Sequence, residues 1–346
     1  MGRLTPWKWV MDQWTSLPPV PQFFSGDLGG KTVIVTGANT GVGLAAAHQF
    51  AALGPKKLIL GCRDSMKGER AVCSIRDTTG YQAVESWDLD LADFSSIRGF
   101  VRRFEQEGDG HLDLLVENAG VWLNHYTKTP DGWETSVQVN YLGPSLLALL
   151  MLPALLKAPD SPPTPRLVIV TSESHFFIPS FPEAKAPNIL EKLNDEDYCT
   201  SPKVMVSRYP TTKLMIIFFM RALASRLPTP PAGALTVACA TPGFCRSELA
   251  RWVAGPLLLI KYVAELLFAR TTQVGSYALL WAALGGESSK VHGRYTSTCK
   301  IEDESDLILL KDGPETEERL WNETIDVLSK VDFRIKEIVD EHLSSH

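Results

Sequence analysis

The chain has 346 residues, of which 45% are apolar and 21% charged, with a formal net charge of −6. These values describe a soluble globular protein of one large or two modest domains, and they give no basic footprint for nucleic acid. Its six cysteines, Cys62, Cys73, Cys199, Cys239, Cys245 and Cys299, form no C-x-x-C pairs. That spacing argues against a metal site or a disulfide framework and fits a reducing, cytoplasmic setting.

Residues 1–29 read as an N-terminal arm carrying Trp7, Trp9, Val10 and Trp14 and then Pro18, Pro19 and Pro21. The arm lacks the continuous apolar run of a secretory signal. It either packs on the domain or makes a weak membrane-surface contact, because Trp favours interfaces. No later segment is expected to span a bilayer, since the apolar run at 145–156 is interrupted by Pro153.

Residues 33–43, VIVTGANTGVG, organise the rest of the chain. Val33, Ile34 and Val35 suit a central parallel strand covered on both faces. Gly37, Gly41 and Gly43 follow, where a missing Cβ permits a tight turn and close approach of a ligand. The helix that begins there offers unpartnered first-turn N–H groups to a pyrophosphate. The strand, glycine turn and helix together form the context of a dinucleotide site.

Strands and helices then alternate. Strands are predicted over 56–64, 83–91, 112–120, 166–172 and 235–244, with a short seventh at 293–300. Helices are predicted over 65–80, 93–108, 132–156 and 208–227, and residues 314–339 read as a terminal helix whose early Glu315, Glu317 and Glu318 suit its dipole. Such alternation predicts one α/β domain over 30–346, a three-layer, doubly wound parallel sheet of Rossmann type. Ligands then bind beyond the carboxyl ends of the strands, at the switch point.

The residues after the second strand bear on the cofactor. Arg63 suits a 2′-phosphate and hence NADP(H), with NAD as the alternative. A surface Arg63 paired with Asp64 is the other reading. Asp90, at the end of the third strand, either bonds the adenine amino group or serves as a turn residue. The pair Tyr209 and Lys213, in Y-P-T-T-K, stands one helical turn apart. An ammonium near a phenol favours the phenolate and lowers the tyrosine pKa toward a useful range. With Ser207 as N-cap, Pro210 falls in the first turn, where a missing N–H costs little. Ser172, with Ser174 as a competitor, ends the fifth strand and could bond a substrate oxygen as charge develops there. A cap role for Ser172 is the alternative.

On these residues the chain resembles the short-chain dehydrogenase/reductase family from Lys31 onward. The motifs are T-G-A-N-T-G-V-G (36–43), E-N-A-G (117–120), V-N-Y-L-G around Asn140, V-T-S at Ser172, Y-P-T-T-K, and T-P-G-F-C-R-S (241–247). G-C-R-D and P-G-F-C-R-S-E-L resemble the retinol-dehydrogenase-like branch, especially its fungal members. The resemblance implies Tyr209 as general acid/base and Lys213 as the group that binds the nicotinamide ribose and tunes it. Ser172 would polarise the substrate oxygen, and Asn140 would hold a relay water. It also implies a cofactor seat of Gly37, Asn39, Thr40, Gly41, Val42, Gly43, Arg63, Asp90, Leu91, Asn118, Ala119, Gly120, Pro242, Gly243 and Ser247, together with Tyr209 and Lys213. Two departures stand out: Glu117 replaces a common Asn, and Pro210 follows the tyrosine.

Segments 173–206 and 246–270 occupy the family's lid positions and are rich in apolar residues, among them His175-flanking Phe176, Phe177, Ile178 and Phe181, and Trp252, Leu257, Leu258, Leu259, Tyr262 and Phe268. They suggest a cleft for a hydrophobic alcohol or carbonyl compound, or alternatively cover over the core or a contact in a homo-oligomer. The expected activity is NADP(H)-dependent interconversion of hydroxyl and carbonyl by hydride transfer, as in fungal secondary metabolism. The competing reading is a dinucleotide-binding regulator or scaffold without chemistry.

Overall fold

The computed structural model describes residues 4–343 except 160, 231–234, 247, 248, 250–261 and 263. Strand β1 (Thr32–Thr36) lies between β2 (Lys57–Cys62) and β4 (Leu114–Glu117). With β3 (Val84–Asp88), β5 (Arg166–Val170), β6 (Thr236–Thr241), β7 (Arg294–Ser297) and β8 (Lys300–Glu302), the sheet order is β3-β2-β1-β4-β5-β6-β7-β8. All pairings are parallel except β7 with β8. The expected doubly wound α/β sheet is therefore present. The order reverses between β1 and β4, which opens a crevice at their carboxyl ends.

Both faces are covered. Val33 and Val35 join a core layer under helices α2 (Gly41–Ala52), α3 (Ser65–Thr79) and α7 (Thr272–Leu284), while Ile34 points into the opposite layer. That second layer lies under α4 (Phe94–Glu107), α5 (Gly143–Leu156), α6 (Pro202–Ser225), α8 (Gly313–Val331) and α9 (Arg334–His342). Burial of both faces is why β1 is apolar throughout its centre rather than alternating.

Several boundaries differ from the sequence-based expectations. Helix α6 starts at Pro202, so Ser207 is an internal residue and not the N-cap; its Oγ donates back to the carbonyls of Lys203 and Val204. Pro210 consequently lies inside the helix rather than in its first turn. The terminal helix is two helices, broken at Asp332, whose carboxylate binds the Arg334 backbone and guanidinium. Strand β8 follows a tight turn in which Thr298 and Cys299 both have positive φ, a conformation that no Gly or Asn marks in the sequence. The third strand ends at Asp88, leaving Asp90 and Leu91 just beyond it.

Helical structure runs from Thr135 to Leu156 and passes through Pro153, giving, among the described residues, one segment long and apolar enough to cross a membrane, longer than the proline suggested. Its apolar window is 83% buried inside the protein, beneath the sheet. All six cysteines are free, and only Cys73 is exposed.

Candidate active site

The glycine turn after β1 is shaped by close packing. Gly37 has φ +63°, and a Cβ there would lie 2.8 Å from the Ala119 Cα. A Cβ on Gly43 would lie 2.4 Å from the Asn118 amide nitrogen. Gly41 also has positive φ but opens to free space, so its backbone is accessible to a ligand. Asn118 fixes this turn by donating to the carbonyls of Thr36 (3.1 Å) and Gly37 (3.3 Å). The Thr36 hydroxyl accepts from the N–H groups of Asn118 and Ala119, which ties the β1 end to the β4 end across the switch point.

Thr40 is the N-cap residue of α2, yet its side chain makes no cap bond, so the first-turn N–H groups stay free of it. Asn39 is half-buried, and Val42 turns its side chain into the core. An open cavity of about 450 Å³ sits against this helix end, bordered by Thr40, Gly41, Leu44, His48, Arg246 and Thr272. A free helix start, an open glycine backbone and a neighbouring guanidinium fit a dinucleotide diphosphate. Arg246 was not singled out in the sequence; only its position after P-G-F-C marked it. Gly120 stands between the two halves of the site, because a Cβ there would be 3.1 Å from the Asn140 Oδ1 and 3.6 Å from the Lys213 Nζ.

Arg63 is exposed and, among the described residues, bonds to no other group. It is not paired with Asp64, whose carboxylate instead caps α3 by accepting from the Lys67 N–H. Asp90 uses one carboxylate oxygen to accept from the Ala92 N–H, which is the turn role, and Leu91 is buried in the core. Ser247 lies outside the described residues.

The second constellation gathers at the carboxyl ends of β4 and β5. Asn140 sits in a π-helical turn, Gln138–Leu142, that leads into α5. Its amide donates to the Val121 carbonyl and the Thr212 hydroxyl, and its oxygen accepts from the Val121 N–H. The widened turn rotates Asn140 out of the regular helical register, and turns of this kind concentrate at functional sites. Lys213 is buried and donates to the Val170 carbonyl at 2.8 Å. Its Nζ lies 5.7 Å from the centre of the Tyr209 ring. Burial lowers the lysine to about 8.

Burial also pushes the Tyr209 phenol up to about 12, opposed by the Ser172 hydroxyl. The expectation that the nearby ammonium lowers the tyrosine does not hold in this structure. Desolvation of the phenol dominates, and the ammonium bonds a backbone carbonyl instead. Ser172 accepts from the Ser174 N–H at 3.1 Å, so it also caps the short turn that follows; its own hydrogen remains to donate elsewhere. The Ser174 hydroxyl is buried with no hydrogen-bond partner among the described residues.

Trp122 stacks flat on Tyr209, with ring centres 5.0 Å apart and planes inclined by 14°. In the sequence its one mark is its position, two residues beyond the E-N-A-G motif. Glu117, at the unusual position, is fully buried, and its carboxyl is raised well above the usual range by desolvation.

Pro242 and Gly243 follow β6, and Gly243 has φ +74°. The segment after Ser172 does not form an apolar cleft wall throughout: Ile178 and Phe181 join the core, His175 is buried, and Phe177 and Val206 are strongly exposed. Of the second segment, Tyr262 is exposed and Phe268 packs on Trp9 and Trp14; Trp252 and residues 257–259 lie outside the described residues.

Residues 31–177 match the family model for short chain dehydrogenases. A short chain dehydrogenase/reductase of a Cryptosporiopsis species is 34% identical over 313 residues, covering 89% of this chain and 93% of the relative. A short chain dehydrogenase of Alternaria solani is 38% identical over 273 residues, covering 78% and 90%. Among solved structures, an NADPH-bound carbonyl reductase from chicken fatty liver aligns with a TM-score of 0.58 at 20% identity, covering 80% of this chain and all of that one. A short-chain dehydrogenase from Sphingobium yanoikuyae in complex with NADPH aligns at 0.53 and 22%, covering 72% and 82%.

Proposed function

This chain belongs to the short-chain dehydrogenase/reductase family, and on that premise we propose that it is an NADP(H)-linked oxidoreductase interconverting a hydroxyl and a carbonyl on a hydrophobic small molecule. The observation that carries this reading is the convergence of Ser172, Tyr209, Lys213 and Asn140 beside the glycine turn. A scaffold that had shed its chemistry would have no need of that convergence.

The residues divide the work. The Ser172 hydroxyl accepts from the Ser174 N–H and keeps its own hydrogen to donate to the substrate oxygen. Tyr209 passes its proton to that oxygen as negative charge grows there. The dinucleotide supplies or takes the hydride. Lys213 keeps donors beyond the one bonded to Val170 for the ribose hydroxyls, and burial leaves its proton loosely held. Asn140, locked by three hydrogen bonds, fixes the Val121 backbone and a relay position next to Lys213. Trp122 presents an apolar wall against the phenol, and Phe177, exposed on the segment that follows Ser172, adds apolar surface. Both favour a lipophilic substrate over a sugar, in keeping with the role in secondary metabolism that the fungal resemblance suggests.

Arg63, exposed beside the end of β2, is the proposed partner of a 2′-phosphate. Fluorescence titration with NADPH and NADH tests this. Wild-type protein is expected to bind NADPH more tightly, and Arg63→Ser is expected to weaken NADPH about tenfold while leaving NADH unchanged. Tighter binding of NADH by wild type contradicts the assignment.

A further inference from the structure

The N-terminal arm is built into the site. Helix α1 (Pro6–Trp14) is capped by the Thr5 hydroxyl and carries one buried residue, Gln13. Its side-chain amide works in both directions. The Nε2 donates to the Glu173 carboxylate at 2.8 Å, and the Oε1 accepts from the Phe244 N–H at 2.8 Å. Glu173 directly follows Ser172, and Phe244 directly follows Pro242 and Gly243. One side chain therefore joins the loop that carries the substrate-side hydroxyl to the loop on the nicotinamide side.

The surroundings leave little slack. Arg270 is buried and donates to the carbonyls of Asp12, Thr15 and Pro242, which clamps α1 to the loop after β6. A Cβ on Gly243 would meet both the Arg270 Nη1 (2.5 Å) and the Gln13 Oε1 (3.0 Å), so the glycine admits this contact. Trp9 packs on Phe244 and Phe268, and Trp14 stacks on Phe268. Around the Glu173 carboxylate stand Ser297, which donates at 3.3 Å, the Arg270 guanidinium, Asp12 and Tyr295. Without Gln13 the buried carboxylate keeps one long hydrogen bond, and the Phe244 N–H loses its partner.

We propose that Gln13 is a positioning residue: the α1 helix uses it to set the spacing between the Ser172 loop and the Gly243–Phe244 loop, and thereby the seat of the nicotinamide end of the cofactor. The inference rests on the oxidoreductase reading above. Its test needs no substrate.

NADPH affinity is measured by fluorescence titration on full-length wild type, Gln13→Ala, Gln13→Glu and the double variant Gln13→Glu/Glu173→Gln, with Tm recorded for each. Gln13→Ala is expected to weaken NADPH about tenfold, the loss of two hydrogen bonds at one joint. Gln13→Glu sets two carboxylates against each other and is expected to weaken it at least as much. The double variant reverses the direction of the bond: the amide at 173 donates to the carboxylate at 13, which still accepts from Phe244. It is expected to return affinity to within about twofold of wild type. The two variants carrying Glu at position 13 decide the matter even where Gln13→Ala fails to fold. NADPH affinities in Gln13→Ala and Gln13→Glu equal to wild type overturn the inference alone, as does a double variant no better than Gln13→Glu. Wild-type protein that binds neither NADPH nor NADH removes the oxidoreductase reading and this inference together.

Discussion

Burial pushes the Tyr209 phenol up to about 12, further from ionisation than a phenol in water, because its surroundings are dry. Trp122 covers one face of the ring, and the residue is only 6% exposed. Lys213 does not offset this, since its ammonium faces the Val170 carbonyl. Each side chain therefore favours its neutral form more than it would in water, tyrosine by rising to about 12 and lysine by falling to about 8. The stacked indole has a consequence of its own. Trp122→Ala lets water reach the phenol and removes an apolar wall, so KM for a bulky apolar carbonyl is expected to rise roughly tenfold, with NADPH affinity unchanged. Steady-state kinetics beside a binding titration separate the two. Weakened NADPH binding in this variant would place Trp122 on the cofactor side instead.

At the scale of elements, the catalytic helix and the π turn are joined by a buried ion pair. The Arg208 Nε lies 3.6 Å from the Glu134 Oε2, both side chains fully buried. Glu134 also accepts from the N–H groups of Ser136 and Val137, which anchors the start of the turn that carries Asn140. Arg208 in turn donates to the Cys199 sulfur. Removing one partner strands the other charge, so Arg208→Leu is expected to cost about 3–5 kcal/mol in chemical denaturation. A loss below about 1 kcal/mol would show that the pair does not brace the two elements.

Much of this level was legible in advance. The alternation of apolar strands and amphipathic helices gave the layers, and the glycine turn and Y-P-T-T-K gave the two centres of the site. The start of α6 was not legible, because Pro210 looked like a first-turn proline, whereas the apolar packing of that helix carries it through the break. Gln13 was equally hidden. A lone glutamine in a Trp-rich arm carries no local signal, and its two partners lie 160 and 231 residues away. Trp122 and Arg246 became visible only once strand ends and helix starts were side by side.

On the scale of the whole molecule, a histidine beside the site is expected to make stability depend on pH. His175 is buried among Phe176 and Tyr295, with its Nδ1 2.7 Å from the Ser172 carbonyl. Burial lowers it from 6.5 to about 4. Between those pH values the unfolded chain takes up a proton that the folded chain refuses. The contribution is thus fully present above about pH 6.5 and lost as pH falls through 4, a loss on the order of 3 kcal/mol. His175→Gln keeps a donor for the Ser172 carbonyl but cannot titrate, so its Tm is expected to fall less than wild type between pH 6.5 and 4. Parallel Tm curves would assign the acid sensitivity to other groups.

The sheet, the glycine turn and the arm all bear on one proposed arrangement, a dinucleotide seat facing the Tyr209 phenol. The most direct measurement of it follows NADPH absorbance with a panel of bulky apolar carbonyl compounds, comparing wild type with Tyr209→Phe. The account predicts that both proteins bind NADPH with similar affinity, that wild type consumes it with at least one member of the panel, and that Tyr209→Phe turns over roughly 10²–10⁴-fold more slowly. Equal rates of NADPH consumption by the two proteins would contradict it.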